Sequence, residues 1–441
     1  MADSSEEYIS NLLISTFVAL ESAGIKTCIL SGYEAYPDHI PSDVDFVVLP
    51  EDLPKIPAIL FELPCLLLQC LQHESNAYYY VLCTTARNGT PCFLHLDVSG
   101  DFRRDGRVFL TAEEIIASRR EYNNFWVPSP DIEFAYYLIK KIAKRSINEQ
   151  QRDSLVSLYQ QDPDGCKNQI RRFWSAEAAR KLVSVIQLNK WSTVDTEIAW
   201  FRKNFLIKAF KRKPSVTLAY WKDDVLRRVR RVCIPTGLHV VIFGTDGSGK
   251  SSVLEKIKTT LAPAFRRTLL LHLRPAFLKT RGSSGPVINP HRLANYSFFM
   301  SLLKLGHFSL DYVIGYFAKI YPKLVRSTLV LFDRYYHDII VDPRRYRYGG
   351  PMGLARLVGK IIPKPDLFIL LDAPPEVLQS RKKEVPFEET ARQREAYLDL
   401  IRRMKNGVVV DASRPLDDVI AEVTGVILAF MAKRTRERFE R

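Results

Sequence analysis

The 441-residue sequence predicts an α/β protein: a doubly wound parallel sheet with a P-loop in the C-terminal half, preceded by an α+β module with a helical extension. Three observations carry this. The apolar run Val240-Val241-Ile242-Phe243 leads into Gly244 to Ser251, which matches G-x-x-x-x-G-K-[ST] in full, and a helical pattern starts at Val253. That is a buried strand, a phosphate-cradling turn and a helix, in order. Further apolar runs then alternate with helical spacing, as βα units of a parallel sheet do. Near the N-terminus, by contrast, two strand-like runs flank Asn88-Gly89, a hairpin signal.

Length and composition set the frame. A chain this long calls for two or three domains, and 46% hydrophobic residues suit globular cores. A net charge of +15 and a pI near 9.4 favour phosphorylated or otherwise anionic partners. The start is acidic and lacks the pattern of a signal peptide, and no run reaches the ~20 apolar residues of a spanning helix. Seven cysteines without metal-type spacing read as buried free thiols in a reducing compartment. The expected location is the cytoplasm.

In chain order, Glu6 to Ser22 has helical apolar spacing and ends at Ala23-Gly24. Ile25 to Gly32 is a strand running into a glycine turn, and Pro41 to Pro50 is a second strand. It carries Asp43 and Asp45 two apart, hence on one face. Two adjacent carboxylates repel unless a cation lies between them, and a divalent metal is the natural occupant. Ala77 to Cys83 and Pro91 to Val98 form the hairpin, whose second strand delivers Asp97.

This order of Gly32, Asp43, Asp45 and Asp97 resembles the nucleotidyltransferase superfamily, in which such carboxylates hold metals against a nucleoside triphosphate. The turn departs from that family, with Gly32-Tyr33 where Gly-Ser or Gly-Gly is usual. From Ile132 to about Arg231 the periodicity is helical, with stripes such as Phe134, Tyr137, Leu138 and Ile142. Basic clusters at Lys203 to Lys213 and Arg227 to Arg231 could meet an anionic membrane, though a solvated helix face is the commoner meaning of such runs. The expected domains are 1–128, 129–234 and 235–441.

In the last of these, Thr268 to Leu273 is a second strand, ending at Arg274-Pro275. Asn289 to Lys323 reads as core-forming helix. Thr328 to Phe332 is a third strand, tipped by Asp333-Arg334-Tyr335-Tyr336. Asp366 to Asp372 leads through Ala373-Pro374-Pro375 to a helix carrying Arg381-Lys382-Lys383, and Gly407 to Asp411 runs into Ala412-Ser413-Arg414. A carboxylate at the tip of a strand beside the phosphate loop can hold Mg²⁺, and the neighbouring arginine can neutralise phosphate.

These pieces (G-T-D-G-S-G-K-S, F-D-R-Y-Y, L-D-A-P-P-E-x-x-x-x-R-K-K and D-A-S-R-P-L-D-D-V) resemble the thymidylate kinase family over about Leu238 to Phe430. The resemblance implies an ATP-binding set of Gly244, Asp246, Gly247, Ser248, Gly249, Lys250, Ser251 and Ser252, with Ser413 and Arg414 near adenine. It implies Mg²⁺ held by Ser251 and Asp333, and transfer assisted by Lys250, Asp333, Arg334 and a lid of Arg381 and Lys382. Asp246 matches the acidic position facing the acceptor sugar. For the acceptor, the chain offers Arg274, Tyr335, Arg344, Arg345 and Arg347, whose arginines suit a phosphorylated ligand.

The partners implied are ATP and a phosphorylated small molecule, with a homodimer as in relatives and no nucleic acid. Three functions stay open: phosphorylation of dTMP or a similar monophosphate, phosphorylation of a sugar or glycan alongside a nucleotidyltransferase-like module, and a non-catalytic nucleotide-binding adaptor.

Overall fold

The computed structural model describes residues 5–212, 214–278, 294–383 and 385–440. Lys213 of the first basic cluster and residues 289–293 of the expected long helix lie outside them. The chain forms two compact units: Met1–Arg230 together with Thr435–Arg441, and Arg231–Arg434.

The first unit holds a mixed five-stranded sheet of β1 (Cys28–Ile29), β2 (Val44–Val47), β3 (Leu66–Glu74), β4 (Ala77–Thr85) and β5 (Pro91–Ser99), in the order β1-β2-β5-β4-β3. β2 and β5 run parallel and the other neighbours antiparallel. The hairpin turns at Gly89, whose φ of 81° is costly for any residue with a Cβ. Along β5 burial alternates strictly, so Cys92, Leu94, Leu96 and Val98 enter the core while Asp97 lies on the other face. The helix Ser5–Ser22 buries Leu12, Leu13, Phe17 and Leu20 in the same core.

β3 was not anticipated. Its apolar start, Leu66-Leu67-Leu68, follows the helix Ile56–Glu62 after Pro64, and only pairing with β4 distinguishes such a run from buried helix. Beyond the sheet, helices at Pro130–Lys144, Glu149–Gln161, Pro163–Phe173, Ala176–Leu188 and Ser192–Arg212 share a second core around Phe134, Leu138, Trp174, Phe201 and Phe205.

The second unit is a parallel sheet of β6 (Leu238–Phe243), β7 (Arg267–His272), β8 (Thr328–Asp333), β9 (Leu367–Asp372) and β10 (Gly407–Asp411), ordered β7-β8-β6-β9-β10. β6 is central and buried along its whole length, as expected where helices cover both faces. The parallel register aligns the C-terminal ends, with Ile242 opposite Asp333 and His272 opposite Asp333. Ligands of such sheets bind at this edge.

Candidate functional site

The phosphate loop leaves β6 at Gly244. Its φ is 153°, and a Cβ there would come within 2.8 Å of the Leu371 carbonyl, so the loop can sit this close to β9 only with glycine. Gly247 (φ 87°) has the same constraint against the Leu378 carbonyl at 2.7 Å and would meet Lys382 Cβ at 3.5 Å. The basic end of the helix Pro375–Arg381 therefore lies against the loop. Gly249 caps the helix Lys250–Thr260 in the left-handed region, and Ser251 and Ser252 stand exposed in its first turn, where free N–H groups attract anions.

Lys250 is buried. Its Nζ donates to the carbonyls of Gly244 (2.9 Å) and Thr245 (2.7 Å). Burial, with the Arg334 cation nearby, pushes its pKa down to about 8. Ser248 Oγ is buried with no hydrogen-bond partner, and so is one oxygen of Asp333. Burial would raise the Asp333 carboxyl, but His272, Lys250 and Arg334 together hold it below the usual carboxylate value.

Arg334 is the hub. It has a left-handed φ of 68°, its N–H donates to the Ile242 carbonyl, and its guanidinium is inside the protein. It donates to Asp246 Oδ1 (2.6 Å), to Asp338 Oδ2 (2.9 Å) and to the Tyr397 hydroxyl (3.3 Å). Asp338 is fully buried and also accepts from Tyr346 and Tyr397. Burial opposes its charge, yet Arg334 and the two hydroxyls hold its pKa below the ordinary value. Arg345 takes the second oxygen of Asp246 and is itself braced by Asp342 at 3.2 Å. Thus Asp246, Arg334 and Arg345 form one connected charged cluster at the loop.

The lid arginine Arg381 donates to the carbonyls of Ala412 (2.7 Å) and Ser413 (3.3 Å), tying the lid to the segment expected beside adenine. Ser413 bonds Asp411 and Arg414 pairs with Glu422.

On the acceptor side the expectations divide. Arg274 meets His307 Nε2 at 3.2 Å and stacks over Phe308. Arg347 lies over the Tyr296 ring at 4.1 Å and bonds the Ala294 carbonyl. Arg344 is exposed, and only Arg345 of the three arginines reaches Asp246. Tyr335 is not a pocket residue: it is fully buried and its hydroxyl donates to the Pro363 carbonyl at 2.7 Å. Tyr346 and Tyr348, which alternate with these arginines, are likewise core residues.

Sequence reasoning missed Lys304. Burial, with Arg347 and Arg274 close by, pushes its pKa down to about 8, so three cations converge here. Asp311 lies within the expected core-forming helix and was given no role. It is fully buried and accepts from the N–H groups of Ala276, Phe277 and Leu278, fixing the loop after β7. A lone acid in an apolar helical stripe was the available signal.

In the first unit the structure brings two of the acidic trio side by side. Asp45 and Asp97 are opposite one another on β2 and β5. However, among the described residues no group of three or more His, Cys, Asp and Glu could hold a metal ion. Lys140, from the helix Pro130–Lys144, places Nζ 2.7 Å from Asp45 and donates to Tyr136, so a tethered ammonium supplies the cation expected from metal. Asp43 accepts from Tyr79, while Asp97 faces His73 at 3.4 Å. Burial, with Asp45 and Asp43 nearby, pushes the Asp97 pKa up to about 7.

A phosphate loop, a strand-tip Asp-Arg pair and a basic helix end against the loop together define a P-loop kinase. Residues 242–423 match the family model described as thymidylate kinase. A probable thymidylate kinase of Archaeoglobus fulgidus is 32% identical over 44% of this chain and 95% of its own length. A thymidylate kinase of Xanthomonas euvesicatoria is 30% identical over 45% of this chain and 87% of its own. A crystal structure of thymidylate kinase from Ehrlichia chaffeensis aligns over 43% of this chain and 98% of that one, at 17% identity and a TM-score of 0.31. The chain belongs to the thymidylate kinase family.

That family uses ATP with Mg²⁺. The donors here fit such a hard cation: a buried Asp333 oxygen without a protein partner, and an exposed Ser251 hydroxyl at the helix start.

Proposed function

We propose that the second unit transfers the γ-phosphoryl group of ATP to dTMP, releasing ADP and dTDP. The observation that carries the reading is the cluster joining Asp246 of the loop to Arg334 and Arg345, placed where donor and acceptor phosphates would meet. The acceptor oxygen attacks the γ-phosphorus as the bond to the β-bridging oxygen breaks, and the negative charge moves onto ADP. The protein's task is to position and neutralise.

Lys250 leaves its two carbonyl partners to hold the β- and γ-phosphates, which restores its full charge. The loop N–H groups cradle the same oxygens. Arg334, locked by Asp338, bridges donor and acceptor. Arg381 and Lys382 close over the transferring group, and Ser413 with Arg414 flanks adenine. Asp246, held by two arginines, faces the acceptor sugar; Arg274, Lys304 and Arg347 receive its phosphate. Ser251 and Asp333 would hold Mg²⁺, which would offset charge on the donor phosphates. We place this activity in the cytoplasm and assign it to the second unit, Arg231–Arg434.

For the first unit we propose a nucleotidyltransferase-like fold, supported by the parallel β2/β5 pair that sets Asp45 beside Asp97. The Lys140 pairing argues against metal-dependent transfer there.

The test is γ-labelled ATP with Mg²⁺ and dTMP. Label should appear in dTDP and be lost in Lys250→Ala. ATP binding without label on dTMP, but with label on a phosphorylated sugar, would instead support the non-nucleotide acceptor.

A further inference from the structure

In the first unit, away from the acidic trio, the helices Pro163–Phe173, Ala176–Leu188 and Ser192–Arg212 enclose a cleft of about 530 Å³. That is the size range of small-molecule sites. Four of its lining residues are cations, namely Lys167, Arg171, Arg180 and Lys208, and none is a carboxylate. The floor is apolar: Trp174 is buried, and small Ala176 and Ala179 leave the space open.

Two features make the positive field a fixed one. Lys208 Nζ donates to the carbonyls of Arg171 and Trp174, 2.6 Å each, and is thereby anchored at the C-terminal end of the helix Pro163–Phe173. The helix Ala176–Leu188 starts at the cleft, with Ala176 in its lining, and directs its positive end there. Lys167 is paired with Asp164 at 3.1 Å, but the like charges of Arg171, Arg180 and Lys208 round one hollow repel, and an anion relieves that repulsion. Ser184 and Gln187 add polar contacts at the edge.

We infer that this cleft binds a phosphorylated small molecule with an apolar or aromatic body, the phosphate held by Arg171, Arg180 and Lys208 and the body lying against Ala176, Ala179 and Val183. A long polyanion is a poor fit, because the charges surround a hollow and do not form a stripe. The site is independent of the kinase centre, so its failure would leave the kinase reading untouched.

The test uses full-length protein titrated calorimetrically with 1-naphthyl phosphate, dTDP and inorganic pyrophosphate. Arg171→Ala/Arg180→Ala, at two exposed positions, should keep wild-type melting and dTMP phosphorylation. Its affinity for 1-naphthyl phosphate should fall about tenfold or more, as loss of two charge-assisted contacts requires. Equilibrium dialysis with labelled dTDP should lose one of two bound equivalents in the same variant. Pyrophosphate, having no apolar body, should bind more weakly than naphthyl phosphate. The proposal is overturned if naphthyl phosphate does not bind, or if its affinity and the dTDP stoichiometry are unchanged in the double variant.

Discussion

Arg334 owes its position to residues that do no chemistry. A guanidinium held in the interior demands a counter-charge, and the fully buried Asp338 supplies it while two tyrosine hydroxyls satisfy its other lone pairs. Asp338→Ala should therefore cost about 3–5 kcal/mol in urea unfolding, the usual penalty for orphaning a buried ion. Asp338→Asn should fold better than Asp338→Ala yet lose kcat more than it loses ATP affinity, because Arg334 keeps a hydrogen bond but loses the carboxylate that fixes its position. Equal losses of kcat and of ATP affinity would count against a positioning role.

Lys250 gives a second test at this scale. With its pKa near 8 in the free protein, part of the population is neutral at pH 8. Phosphate favours the charged form, so ATP binding should take up protons at pH 8 to 9, and affinity should fall as pH rises through this range. Calorimetry in buffers of different ionisation enthalpy would detect the uptake, and Lys250→Ala should abolish it. The loop was legible in the sequence because glycines, lysine and serine fall within eight contiguous residues. Asp338 with Tyr397, Arg345 with Asp246 and Lys140 with Asp45 were not, being separated by 59, 99 and 95 residues. Each was visible as a charged or polar residue, but only the fold supplies its partner.

At the scale of elements, β6 carries an anomaly. His239 lies within the central strand with both ring nitrogens buried and unpartnered, packed against Phe332 and Tyr335. Burial pushes its pKa down to about 3. The unfolded chain therefore takes up a proton near pH 6.5 that the folded strand refuses. This contribution to stability is whole above pH 6.5 and is lost progressively down to about pH 3, at about 1.4 kcal/mol per pH unit. His337, with its pKa pushed down to about 4, acts in the same direction.

His239→Leu should match or exceed wild-type stability at pH 7 and show a shallower loss between pH 6 and 4, read from denaturant midpoints. An unchanged slope would mean that the ring is protonated in the folded protein. The inner strands β6, β8 and β9 were readable because apolar runs buried on both faces leave little ambiguity, and the half-exposed edge strands β7 and β10 followed from the βα alternation. β3 was not, since five apolar residues within 66–71 suit either a strand or a buried helix until a pairing partner is known.

At the scale of the molecule, the first unit is discontinuous in sequence: Thr435–Arg441 belongs to it, although the helix Leu416–Phe439 begins in the second unit. Within the first unit Thr435 donates to the Leu68 carbonyl at 2.7 Å, and Arg436 stacks over Phe61. Removing residues 435–441 should lower the stability of that unit by about 1–3 kcal/mol, the worth of a buried hydrogen bond and ring contacts. dTMP phosphorylation should be unaffected, and differential scanning calorimetry would separate the two transitions. Composition and motifs made the presence of two kinds of module legible. The return of the chain was not, because a polar, basic helix end carries no address.

This return has a temporal side. A ribosome delivers the residues up to Arg230 first, then the whole kinase unit, and only afterwards the segment that docks beside Leu68. The first unit must wait, incompletely packed, through the synthesis of some two hundred further residues. Maturation of the N-terminal module is thereby made contingent on translation having read through the kinase, so a ribosome that stops within the kinase releases neither unit in finished form.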